Sequence, residues 1–113
     1  MKIGLLSDTH GWLDARVENF FKDCDEVWHC GDIGEQAVTD RLAASFNLRA
    51  VCGNVDGGGL RRMFPEKLIF ECEGVKTLMT HIGGYPGHYD ARIKDLIYRE
   101  RPRLLVCGHS HIL

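Results

Sequence analysis

This chain has no apolar run near the roughly 18 residues that a membrane-spanning helix needs. It has no Lys/Arg cluster, and its formal net charge is −2, which argues against an extended nucleic-acid-binding surface. Its five cysteines include no Cys-x-x-Cys pair, so they do not form the spacing of a disulfide framework. The apolar start Ile3-Gly4-Leu5-Leu6 stops at Ser7-Asp8, too short for a signal peptide. A reducing cytoplasm is the expected location, with no membrane partner. Neither a solenoid-period repeat nor a low-complexity segment interrupts the chain. What remains is ordinary for a globular protein: 44% hydrophobic and 27% charged residues in a length of 113. Residues 1–113 are expected to form a single domain.

Strand and helix signals alternate through the first half. Lys2 to Ser7 reads as a buried strand, and Leu13, Val17, Phe20, Phe21 and Cys24 have the spacing of one helix face. Glu26 to Cys30 reads as a second strand, Glu35 to Phe46 as a second helix, and Leu48 to Cys52 as a third strand. Short connections between them imply parallel pairing with right-handed crossovers. After the break at Gly57-Gly58-Gly59, Lys67 to Cys72 and Val75 to Thr80 flank Glu73-Gly74 as a hairpin. Asp90 to Arg101 reads as a helix stopped by Pro102, and Leu104 to Cys107 as a final strand.

Metal-ligating side chains gather where these strands end. The clusters are Asp8-Thr9-His10, Gly31-Asp32, Gly53-Asn54, His81 and Gly108-His109-Ser110-His111. The order strand, Cys, Gly, ligand recurs at Cys30-Gly31-Asp32, Cys52-Gly53-Asn54 and Cys107-Gly108-His109. Open α/β sheets bind ligands beyond the carboxyl ends of their strands, so the recurrence places its ligands on one rim. Asp8 and His10, two apart on an extended loop, would point the same way. The cysteines read as small core residues at strand ends rather than thiolate ligands.

Each residue has a plain alternative. Asp32 suits a helix cap near Glu35, and Asn54 suits a turn. His81 alone reads as a core or surface histidine, and Asp56 equally as a turn residue. Together, however, the clusters offer more imidazole and oxygen ligands than one octahedral ion takes. Two adjacent divalent ions sharing a carboxylate would use them, and the donor set suits manganese, iron, nickel or zinc.

In this order the motifs resemble the calcineurin-like metallophosphoesterase superfamily, and within it the small single-domain bacterial and archaeal phosphodiesterases. The resemblance implies an α/β fold, an αββα sandwich. It also implies a ligand sharing: Asp8, His10 and His111 for a first metal, Asn54, His81 and His109 for a second, and Asp32 bridging. Asp56 falls at the family's acidic position behind the ligands. His29 matches no ligand position and reads as structural. His88 and Tyr85 are substrate-contact candidates whose plain reading is a solvated loop, and Arg61 and Arg62 are phosphate candidates whose usual state is exposed.

The implied cofactor is a pair of divalent ions, manganese first, with nickel, iron or zinc behind it. The implied reaction is in-line attack on a small or activated phosphate diester by a hydroxide bridging the ions. A phosphomonoesterase or nuclease on the same centre is one alternative, and a non-catalytic scaffold of the same fold is another. Many relatives carry a proton-donating His after the Gly-Asn; here that position is Val55. Relatives also continue past Gly-His-x-His into further strands. The sequence therefore predicts a domain short at its C-terminus, whose second sheet has an exposed edge open to homo-oligomerisation or is only marginally stable.

Overall fold

The computed structural model describes residues 1–85 and 88–108. Among the described residues, two three-stranded sheets carry the fold. The first is β1 (Ile3–Leu6), β2 (Glu26–His29) and β3 (Asn47–Ala50), in that spatial order and parallel throughout. The second places β5 (Val75–Thr80) between β4 (Lys67–Cys72), which is antiparallel to it, and β8 (Leu104–Cys107), which is parallel. A small hairpin of β6 (Gly84–Tyr85) and β7 (His88–Tyr89) precedes the last helix.

Apolar residues divide between two layers. Val27, Ile33, Val38, Leu42, Ala50 and Leu60 form one buried cluster, drawn from the first sheet and from α2 (Gln36–Ser45) and α3 (Gly58–Met63). Trp28, Cys30, Val51, Met79 and Val106 form the other, drawn from both sheets. Val27 and Trp28 thus serve opposite faces of β2, as strand alternation requires. Trp28 meets Phe70 of β4 edge-on at 5.0 Å between ring centroids, and Arg49 covers the same ring at 4.2 Å. This seam joins the two sheets. It is the mixed α/β, two-sheet architecture that the motifs implied.

The sequence expectations hold where turn chemistry is strong. The β4–β5 hairpin turns at Glu73 (φ 51°) and Gly74 (φ 79°), the pair of positive angles that a two-residue connection favours. Helix α4 (Ala91–Glu100) begins at Asp90, whose carboxylate accepts from the Arg92 N–H, and ends at left-handed Arg101 before Pro102.

Two expectations need correction. The apolar spacing from Leu13 to Cys24 does not produce one amphipathic helix: α1 spans only Val17–Phe20, and Phe20 is 81% exposed. The Asp14 side chain accepts from the Arg16 N–H, and turns from Asn19 to Lys22 and from Phe21 to Cys24 replace helical bonds. Such local side-chain bonding competes with helix. Phe21, not Phe20, turns inward, over Gly4 of β1. Conversely, the glycine run read as a break opens α3. Its low helix propensity is overridden by burial of Leu60 and by the anchoring of Arg61 described below.

Candidate metal centre

The loops leaving β1 and β2 run side by side. Asp8 N–H donates to Gly31 O (2.9 Å), His10 N–H to Asp32 O (3.0 Å) and Gly11 N–H to Ile33 O (2.7 Å). Asp8, His10 and Asp32 all adopt left-handed backbone, with φ of 58°, 50° and 55°. The extended loop expected at Asp8–His10 is therefore a tight one, in a conformation that non-glycine residues hold only when their surroundings fix it. Two glycines make the close approaches possible. A Cβ on Gly31 (φ 97°) would stand 2.8 Å from the His81 ring, and one on Gly53 would stand 2.1 Å from Asp32 Oδ1.

These loops deliver three ligand-type residues to one point. One atom from each of Asp8, Asp32 and His81 lies within 4.8 Å of the other two. His81 Nε2 is 3.1 Å from Asp32 Oδ2 and 3.8 Å from Asp8 Oδ1. His10 Nε2 reaches the same two oxygens, at 3.9 Å and 3.8 Å, from a half-exposed position. His81 is buried, and its Nδ1 sits 2.7 Å from Cys30 O. A carbonyl only accepts, so Nδ1 donates, and Nε2 points at the carboxylates. A bare nitrogen lone pair facing carboxylate oxygens is repulsive unless a proton or cation stands between them. Two carboxylates and an imidazole fixed through its far nitrogen are the donor set and outer support of a divalent metal site.

Behind the ligands lies a layer of bracing. Asp56 is 3% exposed, yet its carboxylate accepts from Gly53 N–H (2.8 Å), Gly34 N–H (2.9 Å) and Ile33 N–H (3.2 Å). Burial alone would raise its pKa, but the three donors outweigh burial and lower it. Asp56 thus clamps the Asp32 loop to the Gly53 bend and is not merely a turn residue. Asp32 itself caps no helix; its Oδ1 accepts from Val55 N–H at 3.1 Å, and Glu35 occupies the start of α2. His29, fully buried, accepts from Gly31 N–H at Nδ1 (3.2 Å). Its Nε2–H then faces Thr9 Oγ1 (3.0 Å), whose hydroxyl donates to Ile33 O (2.9 Å). Burial pushes the pKa of His29 down to about 4, so the ring is neutral at physiological pH.

Other residues fall as follows. Asn54 is exposed and borders the same cavity as His81. Gly108 lies against the Asp8 loop, since a Cβ there would stand 2.7 Å from Ser7 Oγ and 3.2 Å from Asp8 Oδ2. His109 and His111 lie outside the described residues. His88 is exposed on β7. Arg61 is exposed, as expected, but its guanidinium is committed: it donates to Asp56 O (2.7 Å), Gly53 O (3.1 Å) and Glu66 Oε1 (2.8 Å). Cys30 and Cys52 are buried, and burial pushes the Cys30 thiol up to about 12, far from a thiolate. Cys107 is exposed, against expectation, at the end of β8.

Residues 1–113 match the family model of the calcineurin-like phosphoesterase superfamily domain. The chain belongs to that superfamily. It is 31% identical to a probable metallophosphoesterase of Methanocaldococcus jannaschii, over 98% of this chain and 59% of that protein. The chain therefore spans about three fifths of that relative's length. A solved archaeal phosphodiesterase is 26% identical, with a TM-score of 0.71 over 99% of this chain and 74% of the other. Vacuolar protein sorting 29 from Cryptosporidium parvum shares the fold, with a TM-score of 0.74 at 19% identity over 98% and 65% of the two chains. Calcineurin-like phosphoesterases take divalent metal, and the Asp8, Asp32 and His81 donors fit it. Among the described residues, no helix is long and apolar enough to cross a membrane.

Asp56 was anticipated behind the ligands; what sequence reasoning missed here is the bracing that His29 and Thr9 supply. His29 carries a signal, an imidazole directly before the Cys-Gly-Asp turn, but its link to Thr9 spans 20 residues and appears only when β1 and β2 are paired.

Proposed function

We propose that this protein is a dinuclear metal-dependent phosphodiesterase acting on small or activated phosphate diesters. The observation that carries this reading is the convergence of His81 Nε2 and His10 Nε2 on the same Asp8 and Asp32 oxygens. Asp8, His10 and His111 would hold one ion, Asn54, His81 and His109 the other, with Asp32 shared. Bound ions of this kind supply an acidified water and neutralise charge on the phosphoryl group. The chain's own part is to hold two carboxylates close together against their repulsion, which Asp56, His29 and Thr9 do through the loop backbones. Val55 follows Asn54 and has no transferable proton, which favours esters whose leaving group departs as a stable anion. Manganese is the first candidate, ahead of nickel, iron and zinc. Five free cysteines suit a reducing cytoplasm.

The test joins elemental analysis of protein purified without added metal to a substrate comparison. Two metals per chain, with a nitrophenyl diester turned over faster than its monoester or single-stranded nucleic acid, is the expected result. Preference for the monoester or the nucleic acid would move the assignment to those substrates on the same centre. Fewer than two metals, with no hydrolysis under any of the four ions, would make the chain a scaffold. Light scattering over a concentration series tests self-association through an edge of the second sheet.

A further inference from the structure

Beside the candidate metal centre lies a cavity of about 230 Å³ that shares Gly53, Asn54 and His81 with it. We propose that this cavity is a subsite for one ester arm of the substrate, and that the arm it takes is ring-sized, apolar in its body and ends in a second anionic group. The proposal rests on the phosphodiesterase reading for its reaction but not for its binding.

Size sets the first limit. Sites for drug-sized ligands run from about 300 to 1,000 Å³, so this one holds a single ring or a group of similar bulk. Its interior supplies Ile93, which is 1% exposed, buried Thr80 and partly buried Ile82. Those surfaces favour an apolar body.

Charge sets the second limit. Among the described residues, three cationic side chains line the cavity, Arg61, Lys67 and Arg92, against one anion, Glu66. Arg61 is committed to Glu66 and to two backbone carbonyls, so it forms a wall. Lys67 Nζ donates to Arg92 O at 3.1 Å, which uses one of its three N–H donors. The contact also bridges β4 to the first turn of α4. Arg92 Nε stands 3.4 Å from Asp90 Oδ1, and its side chain is 66% exposed. Pairing Arg61 with Glu66 and Arg92 with Asp90 leaves Lys67 as the surplus positive charge. An anionic oxygen placed between Lys67 Nζ and the Arg92 guanidinium would accept charge-assisted hydrogen bonds from both. The phosphoryl group itself belongs at Asp8, Asp32 and His81, so this anion is a second one on the same molecule.

Two matched pairs of compounds test this. Phenylphosphonate and 4-carboxyphenylphosphonate, which have no ester bond to hydrolyse, are titrated calorimetrically into the metal-loaded protein. 4-Nitrophenyl phenyl phosphate and 4-nitrophenyl 4-carboxyphenyl phosphate, which share a leaving group, are compared by KM. The carboxylated member of each pair should bind at least about tenfold better, as even one of the two hydrogen bonds to a charged group implies. In the Lys67→Gln, Arg92→Gln double variant, or in Lys67→Gln alone if the double does not fold, that ratio should fall to about one, with metal content unchanged. Equal affinity of the pair in the unaltered protein, or a ratio that survives the variants, overturns the subsite. No turnover of either diester, with the calorimetric ratio intact, would instead overturn the phosphodiesterase reading and leave the subsite standing.

Discussion

The two sheets supply the candidate centre unequally. The first sheet's loops bring Asp8, His10 and Asp32, and three backbone hydrogen bonds, Asp56, Thr9 and His29 tie those loops together. The second sheet, among the described residues, brings His81 from the end of β5, aimed by its bond to Cys30 O of the first. The contrast follows from charge. Two carboxylates drawn together repel one another, and only a rigid frame holds them without a cation; a lone imidazole needs its ring turned the right way and little else. Damage to the first side should therefore degrade the whole centre, and damage to the second should weaken one metal position.

Asp32→Asn should have the largest effect. It removes charge at the oxygen approached by both His10 and His81, so turnover of a nitrophenyl diester should fall by more than about 100-fold, beyond what outer partners of a metal site usually cost. Elemental analysis should then find fewer than two metals per chain. If His81→Ala costs more than Asp32→Asn in both measurements, the asymmetry between the sheets is misread.

Stability against pH comes next, through His29. Its pKa is about 4 in the folded protein against 6.5 for the unperturbed group. Between those values the unfolded chain binds the proton and the folded chain does not. The stability that this group confers is thus complete above pH 6.5, falls as pH drops towards 4, and changes no further below. The loss is at most about 3 kcal/mol at 1.36 kcal/mol per pKa unit. Denaturation midpoints of the metal-free protein between pH 7 and 4 should show that slope, and His29→Gln should flatten it. An unchanged slope in the variant would mean that other groups carry the acid response.

Asp56→Asn follows. An amide offers one accepting oxygen where the carboxylate served three N–H donors, and its NH₂ would face one of them. Metal affinity should drop by about 10–100-fold, and stability by about 1–3 kcal/mol. Metal titration monitored by calorimetry separates the two, because a purely structural residue would lower the melting temperature without shifting the affinity of the folded protein.

Much of this was legible in the chain. The hairpin at Glu73-Gly74 and the parallel strands around Glu26–His29 were readable because alternation and turn chemistry act locally. So was the gathering of Asp8, Asp32 and His81, since each stands just past a strand end. Helix α1 was misread because Phe20 falls on the apolar period yet faces solvent, a choice made by the packing of Phe21 over Gly4. Helix α3 was missed because Arg61, bonded to the Gly53 and Asp56 carbonyls, fastens a glycine-rich segment that its own propensity would leave irregular. The cavity was invisible for a similar reason: Lys67 and Arg92, 25 residues apart, meet only when α4 docks beside β4.

The smallest effect should come from His88, and it tests whether the second side holds anything beyond His81. His88, read from the sequence as a substrate-contact candidate, is exposed in the β6–β7 hairpin, and with Val55 after Asn54 it is the first histidine to test as a proton donor to the leaving group. A nitrophenolate needs no such proton, whereas a simple alkoxide does, and general-acid help is worth typically ~10²–10⁴-fold. His88→Ala should therefore change nitrophenyl diester turnover by less than about threefold, well below any general-acid contribution. Rates across a leaving-group series should fall steeply as leaving-group pKa rises, and as steeply in the variant as in the parent. A shallow dependence in the parent that becomes steep in His88→Ala would make His88 the proton donor. The second sheet's side would then contribute to catalysis as well as to metal holding, and the division of labour between the sheets would have to be redrawn.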